Sequence, residues 1–124
     1  MTATANVILV AEDHPDIRML IGAVLQSDGY TVVLAEDGLE AVQRAFQTNP
    51  ALVVTDGRMP TLDGWEASKR IRARFPHTPI LMLTVHTEPY EQERGRACGV
   101  TAFMGKPFDP DMLLAEVRRL ISPG

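Results

Sequence analysis

Five polar residues suited to metal and phosphate chemistry stand where short apolar runs end. Glu12 and Asp13 follow "VILVA", and Asp56 follows "LVVT". Thr84 closes "PILMLT", and Lys106 follows "VTAFMG". Carboxylates bind hard divalent cations, and a hydroxyl and an ammonium can neutralise the charge that develops when a carboxylate accepts a phosphoryl group. The residue types therefore point to a metal-assisted phosphate site, if the fold brings them together.

Asp56 is the acid of this set without an evident structural task. Gly57, Pro60 and the residues between them prevent a helix from starting before about Gly64, so no free helix amides lie next to its carboxylate. An ordinary surface-loop acid is the alternative interpretation. Other acids are predicted to cap helices: Asp37 with Glu40, Asp63 with Glu66, and Asp109 with Pro110. Asp13 is open to both interpretations, as a cap of the first helix or as part of the site.

The elements that must position these residues alternate along the chain. Five runs rich in Val, Ile and Leu predict buried strands: Val7 to Ala11, Tyr30 to Ala35, Leu52 to Thr55, Ile80 to Thr84 and Val100 to Met104. Helical patterns separate these runs, and they are clearest from Ile17 to Leu25 and from Leu113 to Ile121. Pro89 to Cys98 is predicted to be the weakest helix, because it has few apolar residues and an internal glycine.

This order predicts an α/β fold of the doubly wound class, with helices on both faces of a five-stranded parallel sheet. Ligands bind to such sheets beyond the carboxyl ends of the strands. If the first and third strands are neighbours, Glu12 and Asp13 lie close to Asp56. Each pair of like charges at about 4 Å costs on the order of 4 kcal/mol at an effective dielectric near 20, so the cluster needs a cation or a raised pKa. Oxygen ligands favour Mg²⁺, with Mn²⁺ as the alternative.

Composition and charge exclude several classes of function. The 124 residues are 45% hydrophobic and 23% charged, as expected of one globular domain. The net charge of -4 provides no basic field, so we predict direct binding neither to nucleic acid nor to a membrane. The single cysteine, Cys98, cannot form an internal disulfide, which favours a reducing, cytoplasmic location.

Four separated motifs resemble the receiver domain of response regulators in bacterial two-component and phosphorelay signalling. They are "VAEDHPD", "VTDGRMPTLDG", "LMLTVH" and "AFMGKPF", and the resemblance covers about residues 6 to 121. It implies a flavodoxin-like (βα)5 fold with strand order 2-1-3-4-5. It also implies a single receiver domain over residues 1 to 124, with a core of about 6 to 121 and flexible ends at 1 to 5 and 122 to 124.

The resemblance assigns the acids their roles. Asp56 would accept a phosphoryl group from a histidine kinase or a histidine phosphotransfer protein. Asp13, Asp56 and the backbone carbonyl of Arg58 would bind Mg²⁺ directly, and Glu12 would act through a bound water.

The resemblance also assigns roles to the groups that would respond to phosphorylation. Lys106 would pair with the phosphoryl oxygens, and Thr84 would move to hydrogen-bond them. Phe103 matches an aromatic switch position, with a plain role in the strand core as the alternative. A cis peptide bond is expected between Lys106 and Pro107.

The implied function is a phosphorylation-controlled signalling switch, not a turnover enzyme, acting on an unidentified output domain or target protein. Phosphorylation would add charge and shift the strand-end loops and the weak fourth helix between two arrangements. Arg58 and His86 each stand two residues after a site residue. We hypothesise that these bulky side chains alter the lifetime of the phosphorylated state.

Three other functions stay open from the sequence. A receiver-like interaction module without phosphorylation is disfavoured by the presence of every acidic, hydroxyl and lysine position. An aspartyl-nucleophile phosphatase normally needs a second acid two residues after the nucleophile, where Arg58 stands. A flavin-binding protein of similar topology would bind phosphate at the first turn, where the acidic "EDHPD" repels it.

Overall fold

The computed structural model describes residues 4–85 and 87–121, in which strands and helices alternate. The strands are β1 (Thr4–Ala11), β2 (Thr31–Ala35), β3 (Pro50–Asp56), β4 (Ile80–Thr84) and β5 (Ala102–Gly105). The helices are α1 (Pro15–Ser27), α2 (Gly38–Thr48), α3 (Gly64–Arg74), α4 (Pro89–Ala97) and α5 (Pro110–Ile121). The predicted alternation is confirmed.

The strands form one sheet in the order β2-β1-β3-β4-β5, and every neighbouring pair is parallel. This confirms the doubly wound class and the strand order that the resemblance implied. Because β1 lies between β2 and β3, the connections from β1 and β3 leave in opposite directions, and a crevice opens at their carboxyl ends.

Alternation of side chains along the strands divides the core into two layers. Leu9 and Val53 point to the layer covered by α2 and α3, which also receives Met82. Ile8 and Val54 point to the layer covered by α1 and α5. In α4 only Glu91 and Gly95 are buried, as expected of the helix predicted to be weakest.

Several strand boundaries differ from the prediction. Backbone pairing of Thr4 with Pro50 starts β1 three residues before Val7, and β3 runs on to include Asp56. Hydrogen bonds between backbones do not require apolar side chains, so the apolar pattern underestimates the lengths of β1 and β3. The prediction was wrong in the other direction for β2, which begins one residue after Tyr30, and for β5, which begins two residues after Val100. Residues 1–3 and 122–124 lie outside the described residues, and the predicted domain limits stay a prediction.

The predicted helix caps are present. Asp37 and Asp63 each accept a hydrogen bond from the backbone N–H three residues later, at 2.8 and 2.9 Å, and Asp109 accepts one from Asp111 N at 2.8 Å. The N-cap of α1 is His14, which makes no side-chain cap, so Asp13 does not have the capping role that the sequence left open. No helix in the described ranges combines the length and apolarity needed to cross a bilayer.

Candidate functional site

Three carboxylates meet where β1 and β3 end. Ala11 is paired with Thr55, so Glu12 and Asp13 leave β1 beside Asp56, the last residue of β3. One carboxylate oxygen from each acid lies within 4.8 Å of the others. The convergence expected from the sequence is confirmed.

The three acids differ in their surroundings. Glu12 is 2% exposed, and its Oε2 accepts a hydrogen bond from His14 N at 3.2 Å. Asp56 is half-buried, and its Oδ1 accepts a hydrogen bond from Gly57 N at 2.7 Å. Asp13 is exposed at the rim, where a ligand from solvent reaches it first.

Lys106 supplies the ammonium that reaches the three-acid cluster. Its Nζ lies 2.6 Å from Glu12 Oε1 and 3.3 Å from Asp56 Oδ2. Its backbone N donates to Thr84 O at 3.0 Å, and the peptide bond to Pro107 is cis, as expected. Burial by itself lowers the pKa of Lys106, but the hydrogen bond to Glu12 and the charges of Asp56 and Glu12 outweigh it and raise the pKa above 10.5.

The excess of negative charge in the cluster affects the pKa of Asp13. Although Asp13 is exposed, partial desolvation of its carboxyl raises its pKa above 3.8, and the hydrogen bond with Glu12 and the charge of Glu12 raise it further. One ammonium thus faces three carboxylates that stand close enough to share one ion. This donor set of oxygens fits a hard divalent cation, and Glu12, Asp13 and Asp56 are the residues that could hold it.

The other predicted site residues lie around this cluster. Thr84 is buried at the end of β4, paired with Gly105, and Phe103 is half-buried on β5. The ring of Phe103 fills the space beside Gly95, where a β-carbon would come within 2.3 Å of its Cζ. Arg58 is exposed in the loop after Asp56. His86 lies outside the described residues, so the structure does not test its predicted role.

The sequence analysis did not predict the packing of α3 that fixes the backbone of Asp56. A β-carbon on Gly57 would lie 2.6 Å from the ring of Trp65, and one on Gly64 would lie 1.9 Å from Asp56 O. Gly64 N also donates to Gly57 O at 2.8 Å. Helix α3 therefore starts against the backbone of Asp56 and Gly57. The signal in the sequence was the pair of glycines at either end of "GRMPTLDG", with the only tryptophan next to the second one.

Comparison with known proteins decides the family. Residues 8–118 match the model of the response regulator receiver domain. The chain belongs to this family. It is 38% identical over 114 residues to the alkaline phosphatase synthesis transcriptional regulatory protein PhoP of Bacillus subtilis, covering 92% of this chain and 48% of PhoP. It is 34% identical over 113 residues to the sensor protein EvgS of Escherichia coli, covering 91% of this chain and 9% of EvgS.

Solved structures agree with this assignment. The chemotaxis protein CheY4 of Vibrio cholerae superimposes with a TM-score of 0.89 at 35% identity, over 97% of this receiver domain and 99% of CheY4. The receiver domain of NtrX from Brucella abortus gives a TM-score of 0.87 at 28% identity, over 94% of this chain and 99% of that domain. Receiver domains are signalling modules of two-component systems that interact with histidine kinases and output domains. This chain spans about half the length of PhoP and a small part of EvgS.

Proposed function

We propose that this receiver domain accepts a phosphoryl group from a phosphohistidine donor onto Asp56 and then presents a changed surface to an output domain or target protein. The observation that carries the proposal is the meeting of Glu12, Asp13 and Asp56 with Lys106 at one edge of the sheet. A histidine kinase or a histidine phosphotransfer protein is the proposed donor.

The transfer exchanges one bond to phosphorus for another. A carboxylate oxygen of Asp56 bonds to phosphorus as the bond between phosphorus and the imidazole nitrogen breaks, and the imidazole keeps that electron pair and takes a proton from solvent. Asp13, Asp56 and the carbonyl of Arg58 would hold Mg²⁺, with Glu12 acting through a water. When bound, the ion would supply positive charge that stabilises the transferring phosphoryl oxygens. Lys106 holds its ammonium beside Asp56 and stabilises the same oxygens.

Residues around the acyl phosphate transmit the effect of phosphorylation to the surface of the domain. The hydroxyl of Thr84 turns to the phosphoryl oxygens, and Phe103 and the loop at Pro107 adjust to the space that this movement leaves. Phosphorylation adds nearly two negative charges, which is enough to favour a second arrangement of the strand-end loops and of α4.

The donor approaches through an apolar groove that adjoins the site. The groove has a volume of about 360 Å³, and Lys106 lines it as well as contacting Asp56. Its other lining residues are apolar: Ile17, Leu20, Val85, Pro107 and Phe108. A donor must bring its phosphoimidazole to Asp56, so we propose that the apolar face of the histidine-bearing helix covers this groove.

Incubation with Mg²⁺ and acetyl phosphate, followed by intact mass, tests the proposal. The protein should gain the mass of one phosphoryl group and lose it again on standing. Asp56→Asn should gain nothing. The matched control Asp37→Asn changes the same group at a helix cap, where asparagine caps equally well, and should gain as the wild type does.

Three results would contradict this function. An equal gain of mass in Asp56→Asn would show that another residue is the phosphoacceptor. No gain in the wild type would favour the receiver-like module without phosphorylation. Sustained turnover of a generic phosphate ester would favour the aspartyl-nucleophile phosphatase.

The lifetime of the acyl phosphate belongs to the same proposal. We propose Arg58 and His86 as its modulators, because each stands two residues after a site residue in the sequence, where a bulky side chain can obstruct or orient an attacking water. The same mass assay, followed over time, should show a changed rate of phosphoryl loss in Arg58→Asn and in His86→Ala. The cytoplasmic location stays a prediction.

A further inference from the structure

Trp65 lies between the backbone that follows Asp56 and helix α4. It is the second residue of α3, it is buried, and it is the only tryptophan of the chain. One part of its ring occupies the place of a Gly57 side chain. Arg94 of α4 stacks on the same ring, with its guanidinium carbon 4.4 Å from the ring centroid. A single side chain therefore touches both the phosphoacceptor loop and α4.

The link to Asp56 runs through one hydrogen bond. Gly57 N donates to Asp56 Oδ1 at 2.7 Å, so the orientation of this peptide depends on the carboxylate. A carboxylate is a stronger acceptor than the carbonyl oxygen of an acyl phosphate. Phosphorylation of Asp56 therefore weakens the hydrogen bond from Gly57 N, and Trp65 packs directly against Gly57.

The link to α4 rests on Arg94. Besides stacking on Trp65, Arg94 Nη2 lies 3.9 Å from Oδ2 of Asp63, the N-cap of α3. Helix α4 buries little else, because only Glu91 and Gly95 are buried along its length. A guanidinium over an indole face is a favourable cation–π contact. The stack on Trp65 and the ion pair with Asp63 both hold α4 against α3.

Three buried polar atoms lie on the two helices that the stack joins. Trp65 Nε1, Ser68 Oγ and Glu91 Oε2 are buried and have no hydrogen-bond partner among the residues that the structure describes. Ser68 lies one turn after Trp65 on α3, and Glu91 lies one turn before Arg94 on α4.

We propose that Trp65 and Arg94 form a connection through which phosphorylation of Asp56 repositions α4, separate from the one through Thr84 and Phe103. This inference rests on the proposed function, since it takes the acyl phosphate at Asp56 as its input. Both residues are positioning residues, because neither touches the reacting atoms. Loss of the charge on the Asp56 carboxylate loosens Gly57, the ring of Trp65 shifts with it, and the stack that holds α4 changes.

Hydrogen exchange of the α4 amides, measured with and without Mg²⁺ and acetyl phosphate, tests the connection. In the wild type, phosphorylation should change exchange over Pro89–Ala97. In Arg94→Gln this change should fall to less than about half, while intact mass shows the same extent of phosphorylation. Arg94 is more than half exposed, with 54% of its side chain in solvent, so the variant should fold normally.

Arg96→Gln is the matched control. It removes the same charge from the same helix, but the guanidinium of Arg96 lies 6.0 Å from the ring of Phe103 instead of stacking on Trp65. Arg96→Gln should retain more of the exchange response than Arg94→Gln, and an equal loss in the two variants would contradict a connection through Trp65. An undiminished response in phosphorylated Arg94→Gln overturns the connection and leaves the phosphoacceptor proposal intact. A wild type that gains no phosphoryl mass overturns both.

Discussion

At the amino edge of β4 and β5 one guanidinium is surrounded by neutral acceptors, whereas at the carboxyl edge of β1 and β3 three carboxylates face one ammonium. Arg72 donates from Nε and Nη2 to Gly99 O at 3.2 and 2.8 Å, and from Nη1 to Phe75 O at 3.0 Å. Thr101 Oγ1 accepts from Arg72 Nη2 at 3.4 Å and from Ile80 N at 3.0 Å. Burial lowers the pKa of Arg72, with no carboxylate to oppose it.

The difference separates a stabilising use of charge from a functional one. At the amino edge, each nitrogen of the guanidinium has an acceptor, so the network holds the loops after α3 and α4 in one geometry. At the carboxyl edge, one ammonium faces three carboxylates, so repulsion remains that a bound cation would relieve. The first arrangement has its acceptors in place, whereas the second offers a cation a set of oxygen ligands.

Gly64→Ala should have the largest effect on stability, and it tests how closely the start of α3 packs against the end of β3. The new β-carbon would lie 1.9 Å from Asp56 O, so the backbone of α3 or β3 must move, at a cost of about 3 kcal/mol. Urea denaturation should show this loss, and the phosphorylation assay should show slower gain of mass. Gly105→Ala is the control beside Lys106, since its β-carbon meets nothing closer than 3.7 Å. A Gly64→Ala protein as stable as Gly105→Ala would contradict the close approach.

Arg72→Met should have the next largest effect and leave the carboxyl edge unchanged. It leaves the carbonyl of Gly99 without its side-chain donor and that of Phe75 with only Thr78 N, at 3.4 Å, which should lower the free energy of unfolding by about 2 kcal/mol. Phosphorylation by acetyl phosphate should continue. Arg70→Met, which removes an exposed pair with Glu66 at 3.7 Å, should change stability by less than about 0.5 kcal/mol. Equal losses in the two variants would show that the Arg72 network adds nothing.

Asp13→Asn should have the smallest effect and the opposite sign. Removing one of three like charges should raise the Tm of the metal-free protein by a few degrees and abolish its stabilisation by Mg²⁺. Asp16→Asn, an exposed acid in the first turn of α1, should neither raise Tm nor abolish the response to Mg²⁺. A lower Tm for metal-free Asp13→Asn would contradict the crowding of the cluster.

The pH dependence of stability checks the same crowding. The pKa of Asp13 in the folded protein lies above 3.8, so the folded state binds this proton more tightly than the unfolded chain does. The resulting stability is fully present below 3.8 and is lost as pH rises through the raised pKa. Metal-free wild type should therefore lose stability with rising pH in this range relative to Asp13→Asn, as thermal scans at successive pH values can show.

The carboxyl edge was predicted well because its signals are local. An acid directly after an apolar run is expected at a strand end, and the carboxyl ends of parallel strands share one edge. Spacing therefore placed Glu12, Asp13 and Asp56 at this edge, and the strand order that the resemblance implied brought them together. The contacts that these side chains make could not be predicted. The sequence implied that Lys106 pairs with phosphoryl oxygens, and the structure also places its ammonium against the buried carboxylate of Glu12.

The amino edge was not predicted, because Arg72 is 27 residues from Gly99 and its acceptors are backbone carbonyls, which every residue carries. Gly95 shows the same limit. In the sequence it indicates a weak helix, and in the structure it makes room for the ring of Phe103.

The sequence by itself determined the order of elements, the edge of the sheet where polar residues collect and the class of ion that they suit. Periodicity and residue chemistry are properties of neighbouring residues, so they can be read along the chain. Only the tertiary structure decided that the ring of Trp65 packs against Gly57 and stacks with the guanidinium of Arg94. It also decided that Arg72 donates hydrogen bonds to the loop after α4. Such contacts depend on side-chain directions and on distances across the fold, which spacing along a chain does not specify.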